Sequence, residues 1–467
     1  MKHWPQAKPL VDMTKAPGLP TDSLAGTDKL AGLVRDDAVH RDVYCSAAVF
    51  EHEQKTVFRK AWLFAGHASQ CPNPGDWLAL TLAGKPLLFV RQADHSLRAM
   101  ENRCAHKGSP IVTEATGTIR GQLRCAYHGW TYRTDGSLAS MPLKQGYDNT
   151  GLQQSANGSG LQAIPNVVEY RGFIFIQLAG DGPAFADWFG RALEALDNMA
   201  DRSPAGRLTL LGPPLQHRIQ CNWKIYLENI NDAVHPVSAH RSAAVVAAQH
   251  WKSQPDDAPK PMAIEQMLPF GASYEFFDAM GATILPNGHS FFGTRQNIHS
   301  GYRQFEAYEQ SLTEAWGKEK AEKTLGFQSQ NTVLWPTLSV KGSPLAIRVL
   351  RPVSASETIL EAWAFAAEGA PDSLAERALT YNRVAFSPMS VIAHDDVHLF
   401  ESIQRQLGAD TQPWVSLHRN ATNETPEDLA QLQTESQTEY SVNSASEALM
   451  RNQFKTWARL IRADQTQ

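Results

Sequence analysis

Apolar positions along this chain change their period as it proceeds. Tyr44, Val49, Phe50, Val57, Phe58 and Trp62 recur at near-helical spacing and predict a helix. From Gly75 the pattern becomes short alternating runs, WLALTLAG, KPLLFVRQ and SLRAMENR, which predict strands. ADHS and the Asp135-Gly136 pair are turn signals between such runs, since glycine tolerates positive φ. GFIFIQL closes this strand-rich stretch. Beyond residue 180 the texture is mixed. ADWFGRALEALDNMA is amphipathic, and RLTLLG, QHRIQCNW, PNGHSFFGT, NTVLWPTLSV, PLAIRVLRPV and TILEAWAFAA read as strands of one antiparallel sheet. SLAERALTYNRVAF and HDDVHLFESIQRQL read as helices. SEALMRNQFKTWARLIRA closes the chain as a helix with Ser446 as its N-cap.

These elements predict an α+β protein. An N-terminal arm and helix occupy 1–44, a small all-β unit 45–178, and a larger unit with an antiparallel sheet flanked by helices 179–467. The arm is expected to pack with the larger unit or on a neighbouring subunit, and the polar stretch 408–445 reads as a long surface loop. At 467 residues the chain is long enough for more than one core. A net charge of -5 argues against nucleic acid or an anionic membrane as partner. No apolar run approaches a membrane span, and the N-terminus lacks the apolar segment of a secretory signal. Five scattered cysteines do not make a disulfide framework, and a reducing cytoplasm fits them. Cys45, Cys71 and Cys221 show no partner pattern and read as small buried residues.

The other two cysteines carry chemistry. Cys104-x-His106 and Cys125-x-x-His128 are two loops that each offer one thiolate and one imidazole. Structural zinc sites usually pair like ligands within a loop. Mixed loops suit a two-iron, two-sulfide centre in which one iron takes both thiolates and the other both imidazoles, an arrangement that raises the reduction potential. Cys104-Ala-His106-Lys-Gly and Cys125-Ala-Tyr-His128-Gly-Trp resemble the two loops of a Rieske domain. Gly108 and Gly129 would let backbone amides approach the sulfides. Lys107 departs from the Arg that is commoner there, but keeps its charge.

A second constellation lies in NWKIYLENINDAVHPVSAH, from Asn222 to His240. Two imidazoles and a carboxylate on one face of an iron leave positions open, as in non-haem iron oxygenases. Glu228, Asp232 and His235 are spaced to share one helix face. His235 and His240 would lie about 140° apart on an unbroken helix. Pro236 therefore predicts an interruption between them. The third ligand is expected from Asp395-Asp396. Asp396 stands four residues before Phe400, on the apolar face of its helix, and a carboxylate aimed into a core is costly unless paired or metal-bound. Asp395 is the fallback, and His394 and His398 read as ordinary neighbours.

N-W-K-x3-E-N-x2-D-x2-H-x4-H with D-D-x3-F-E-x-I-Q resembles the catalytic domain of ring-hydroxylating Rieske non-haem iron oxygenases. The resemblance runs from about Tyr44 to the C-terminal helix. It implies a helix-grip-like catalytic domain, a Rieske [2Fe-2S] cluster on Cys104, His106, Cys125 and His128, and mononuclear Fe(II) on His235, His240 and Asp396. It implies a homotrimer, with or without a small beta subunit, in which the cluster of one chain serves the iron of the next. Asp232 would bridge by hydrogen bonding His235 and the neighbour's His128, with Asn229 beside the iron. Electrons would come from a reductase, directly or through a ferredoxin. Dioxygen and an aromatic substrate, with a carboxylated ring as the leaning, would give a cis-dihydrodiol. The resemblance places the pocket lining at Asn229, Leu334, Phe386, Val391, Ile392 and His289. A monooxygenase or demethylase, and a Rieske electron carrier with an inert second domain, stay open as rival readings.

Overall fold

Alternating apolar and polar side chains between residues 76 and 140 build two small antiparallel sheets. In the computed structural model, the described residues are 30–152, 159–299, 302, 305–409, 412–421 and 439–462. One sheet runs in the order Leu97–Glu101, Lys85–Arg91, Asp76–Leu82, Thr116–Thr118. The other joins Leu123–Arg124, Thr131–Tyr132 and Leu138–Ser140. Between them lies a separate core of Trp77, Leu88, Val90, Met100, Trp130 and Tyr132, which also contains Cys104 and Cys125. A third sheet, Asn166–Tyr170, Phe173–Gln177 and Leu63–His67, turns its buried strands toward the larger core.

The second half is organised on a nine-stranded antiparallel sheet. Leu208–Leu210 and Leu215–Ile219 both pair with the long strand Glu357–Ala367. From there the order is Ala346–Ser354, Leu338–Lys341, Asn331–Leu334, Ser290–Phe292, Ala282–Ile284 and Tyr440–Val442. Helices Trp223–Ile230, Asp372–Tyr381, Val391–Gly408 and Ala448–Arg462 accompany it. The main core runs from Leu30 to Ile461 and takes side chains from both halves. Among the described residues no helix is long and apolar enough to cross a membrane. None of the five cysteines is paired.

Several elements differ from expectation. The helix expected over Tyr44 to Trp62 is three pieces, Asp42–Cys45, Ala47–Lys55 and Val57–Lys60. Ser46 is extended, and its hydroxyl accepts from the Val49 amide, so a new helix starts there. Most of the arm, residues 1–29, lies outside the described residues. Its end is not free: Ala38–His40 pairs with Trp414–Ser416. Two short strands, Trp414–Ser416 and Tyr440–Val442, fall within the expected loop 408–445. The C-terminal helix is buried nearly all round, although Arg451, Asn452, Gln453 and Thr456 are polar. Arg451 and Asn452 donate to the Leu417 and Leu285 carbonyls at 2.6 and 2.9 Å, which satisfies groups that burial would otherwise penalise.

One buried node joins three of these helices. The Glu53 carboxylate accepts from Lys224 at 2.5 Å, from the Trp457 indole at 2.6 Å and from the Trp223 indole at 3.1 Å. Tyr44 makes a second junction. Its carbonyl accepts from Asn222 at 3.0 Å and from Gln404 at 3.2 Å, and its hydroxyl donates to Glu228 at 2.9 Å. Asn222 is the N-cap of Trp223–Ile230, and Gln404 lies on Val391–Gly408.

Candidate active site

The two cysteine–histidine loops fold alike. Each cysteine amide donates to the carbonyl five residues on, Ser109 or Trp130, and each cysteine carbonyl accepts from Gly108 or Gly129. Both glycines have positive φ, 78° and 71°, which a side chain would strain. The loops set both sulfurs inside the core and leave His128 exposed and His106 half-buried. His106 and His128 lie with ring centroids 4.6 Å apart, and Trp130 stacks on His106 at 5.0 Å. Tyr132 bonds the Cys104 sulfur at 3.1 Å. Burial pushes the Cys125 thiol up, but hydrogen bonds from the Tyr127 amide, Cys104 and the His128 amide outweigh it and hold the thiol below its ordinary value. That favours the thiolate, the form that binds metal.

The second site is assembled from two helical segments. Trp223–Ile230 starts at Asn222, whose side chain accepts from the Lys224 amide. The chain leaves the helix at Asn231 and re-enters one over His235–Ala239. The expected interruption therefore lies before His235 rather than between the two histidines. Pro236 sits in the first turn, where its missing N–H costs nothing. A continuous helix would drive its ring into the carbonyl of Asp232, so the break falls upstream. Asp232 consequently lies in the linker, not on a helix face with Glu228. A second change of direction at His240, φ −100° and ψ 8°, turns its ring back toward His235.

Asp396 comes from the second turn of Val391–Gly408, whose N-cap Ser390 accepts from Ala393. One Asp396 oxygen lies 3.8 Å from His235 Nε2 and 3.3 Å from His240 Nε2. Donors that share one ion at ~2.1 Å lie roughly 3 Å apart. Among the described residues His235, His240 and Asp396 are the group whose donor atoms all fall within 4.8 Å and fit one ion. Cys104, His106, Cys125 and His128 form no such single-ion group. Asn229 donates to the same Asp396 oxygen at 3.3 Å and orients it. Burial lowers the His235 imidazole, opposed by Asp396 and Asp232, which favours the neutral ligand form. Asp395, the fallback, points its Oδ2 at His240 Nδ1 from 3.8 Å and is not part of the triad.

Asp232 is placed differently from expectation within the single chain. It accepts from the Val234 amide at 2.6 Å and faces Arg419 at 3.4 Å, while His235 Nδ1 has no hydrogen-bond partner. A pocket opens beside the triad. Asn229, Phe386 and Ile392 line it as expected. Three other expected lining residues do not. Leu334 is buried in the main core. Val391 is exposed on the first turn of its helix. His289 is structural: its ring bonds the Trp188 carbonyl at 2.9 Å and the Trp335 amide at 2.8 Å. The sequence reading missed Tyr226, Phe292, Asn331, Lys341, Arg348 and Tyr381, all of which line the pocket.

Comparison with known proteins matches both halves. The Rieske [2Fe-2S] domain model matches residues 61–156. The model of the ring-hydroxylating alpha subunit catalytic domain matches residues 196–462, more than half of the chain. The large subunit of 2-halobenzoate 1,2-dioxygenase from Burkholderia cepacia is 26% identical over 82% of this chain and 79% of its own length. The alpha subunit of an N,N-dimethyl phenylurea N-demethylase from a Sphingobium strain is 25% identical over 90% and 91%. The solved structure of naphthalene 1,2-dioxygenase from a Rhodococcus strain, bound to indole, shares the fold, with a TM-score of 0.71 at 22% identity over 92% and 95% of the two chains.

Proposed function

The chain belongs to the ring-hydroxylating alpha-subunit family, and on that premise we propose that it catalyses cis-dihydroxylation of a carboxylated aromatic ring. It is an oxygen-incorporating oxidoreductase that holds a Rieske [2Fe-2S] cluster and a mononuclear iron. The observation that carries the reading is the triad of His235, His240 and Asp396 in the lining of one pocket, in one chain with the two Rieske loops. When bound, the cluster supplies electrons and the lone iron supplies dioxygen activation. The chain's own residues do the rest. Asn229 fixes the Asp396 carboxylate, and Phe292, Phe386 and Ile392 exclude water and hold the ring flat beside the triad.

The 2-halobenzoate relative favours a carboxylated ring and two-atom insertion, whereas the N-demethylase relative favours the second reading, delivery of one atom. Turnover under labelled dioxygen separates them: two labelled atoms in the product mean dihydroxylation, and one means monooxygenation. As an oxygenase component the chain works with separate electron-supplying proteins. The finer reading is a reductase, with or without a ferredoxin, in a reducing cytoplasm, and a ring of three chains with or without a small second subunit. In that ring Asp232 would link His235 to His128 of the partner subunit. His128 is exposed on its loop beside Tyr127, and the Asp232 side chain keeps 21% of its surface, so both are accessible to a neighbour.

A further inference from the structure

The lining of the substrate pocket carries two buried basic side chains that the reaction described above does not use. Lys341 ends the strand Leu338–Lys341, and Arg348 lies on Ala346–Ser354. In the register Ser339 faces Arg348 and Lys341 faces Ala346, so both cations project from one side of the sheet. Each is no more than 6% exposed, and both line the pocket with the iron ligands. Neighbouring Ala346 and Ala362 are small and pack with Tyr381, Ala385 and Phe386.

Among the described residues neither side chain meets an acid. Lys341 has one recorded contact, its ammonium 5.6 Å from the centre of the Tyr381 ring. Arg348 donates to Asn331 at 3.0 Å and weakly to the Tyr226 hydroxyl at 3.4 Å, and its Nε is buried without a partner. His299, the next ionisable group, has both ring nitrogens unpartnered and is pushed well below its usual value by burial and then by Lys341. Of the two acids of the pocket lining, Asp396 belongs to the triad and Asp232 faces Arg419. Burial, and then Arg348, push the Lys341 amine well below its usual value, so an anion arriving from outside would restore its proton and offset the buried Arg348 charge.

We propose that Lys341 and Arg348 form the seat of the substrate's carboxylate, so that the ring lies between this seat and the iron triad. The inference rests on the aromatic-oxygenase reading and assigns the substrate class, an aromatic carboxylate. The planar Arg348 guanidinium suits the two oxygens of a carboxylate, and Lys341 adds a point charge. The apolar side chains between the two ends fit the ring.

The test is equilibrium binding of benzoate and of its neutral isostere benzamide to the iron-loaded holoenzyme by calorimetry. The parent protein should prefer benzoate. In Lys341→Met the benzoate-to-benzamide affinity ratio should fall about tenfold to a hundredfold, the loss of one buried charge-assisted contact. Arg348→Gln should lower the same ratio independently. Lys341→Met should also melt no lower than the parent, because it removes a buried amine that meets no acid among the described residues. Equal binding of the two ligands by the parent overturns the proposal. So does an unchanged ratio in both variants, or a Lys341→Met protein that is less stable with its ratio intact. Product analysis under labelled dioxygen is read separately. Benzoate that binds with the expected ratio but takes up no oxygen sinks the oxygenase reading and leaves the seat standing.

Discussion

Asp396 is the residue on which the iron site turns, because both imidazoles converge on one of its oxygens at 3.8 and 3.3 Å. Without it two neutral donors remain, too few to hold a divalent iron firmly. Asp396→Ala should lose the lone iron and all turnover while the two cluster irons and their visible spectrum persist. Metal analysis per chain reads this directly, and a variant that kept its full iron would count against the triad. Glu228 makes a different prediction. Burial pushes its carboxyl from 4.5 up to about 8, with the Tyr44 hydroxyl partly opposing. Its folded value is raised, so the stability it contributes is complete below about 4.5 and drains away as pH rises through about 8. Glu228→Gln should flatten the decline in melting temperature across that window. An unchanged slope would show that the carboxyl is not the group responsible.

At the scale of elements, the Glu53 node decides how the helices hold together. Removing one partner of a buried ion pair typically costs about 3–5 kcal/mol, because the other charge stays behind unpaired. Glu53→Leu should therefore lower the melting temperature by roughly 5–10 °C. The double variant Glu53→Leu with Lys224→Met should recover most of that loss, and failure to recover would mean that the indole contacts, not the charges, dominate. The elements also explain which features were legible in the sequence. Strands announced themselves by alternation, and His235, His240 and Asp396 by ligand chemistry at a spacing that few other demands produce. Pro236 was recognised as a breaker, but its effect reaches the turn behind it, which spacing alone does not reveal. The pocket was harder. Leu334, Val391 and His289 have plausible side chains, yet the faces they present are set by packing. Lys341 and Arg348 stand seven positions apart in sequence, and only strand register brings them to one face.

At the scale of the whole molecule, the Rieske loops leave His128 exposed, and Tyr127 beside it is 67% exposed. Electrons that leave through an exposed imidazole are suited to cross to another chain. Asp232→Ala should then reduce turnover by about 10–100-fold or more while the cluster keeps its visible spectrum and its reducibility by a small-molecule reductant. A variant that turned over normally would remove Asp232 from the route. The two halves are also less separable than the sequence suggests. Their strand-rich and mixed stretches read as distinct blocks, but one main core takes side chains from both.

The Tyr44 carbonyl, which accepts from Asn222 and Gln404, has one more consequence. It splints the helix that carries Asp396 to the helix that leads toward His235, at a point that lies ahead of both stretches matched by family models. Iron retention is thus governed partly by the front of the chain, which carries no ligand at all. Trimming the protein ahead of Ser46 should leave a red-brown, cluster-loaded chain that sheds its lone iron on dialysis. An amino-terminal cut is then a way to switch off oxygen chemistry without touching the wiring that feeds it.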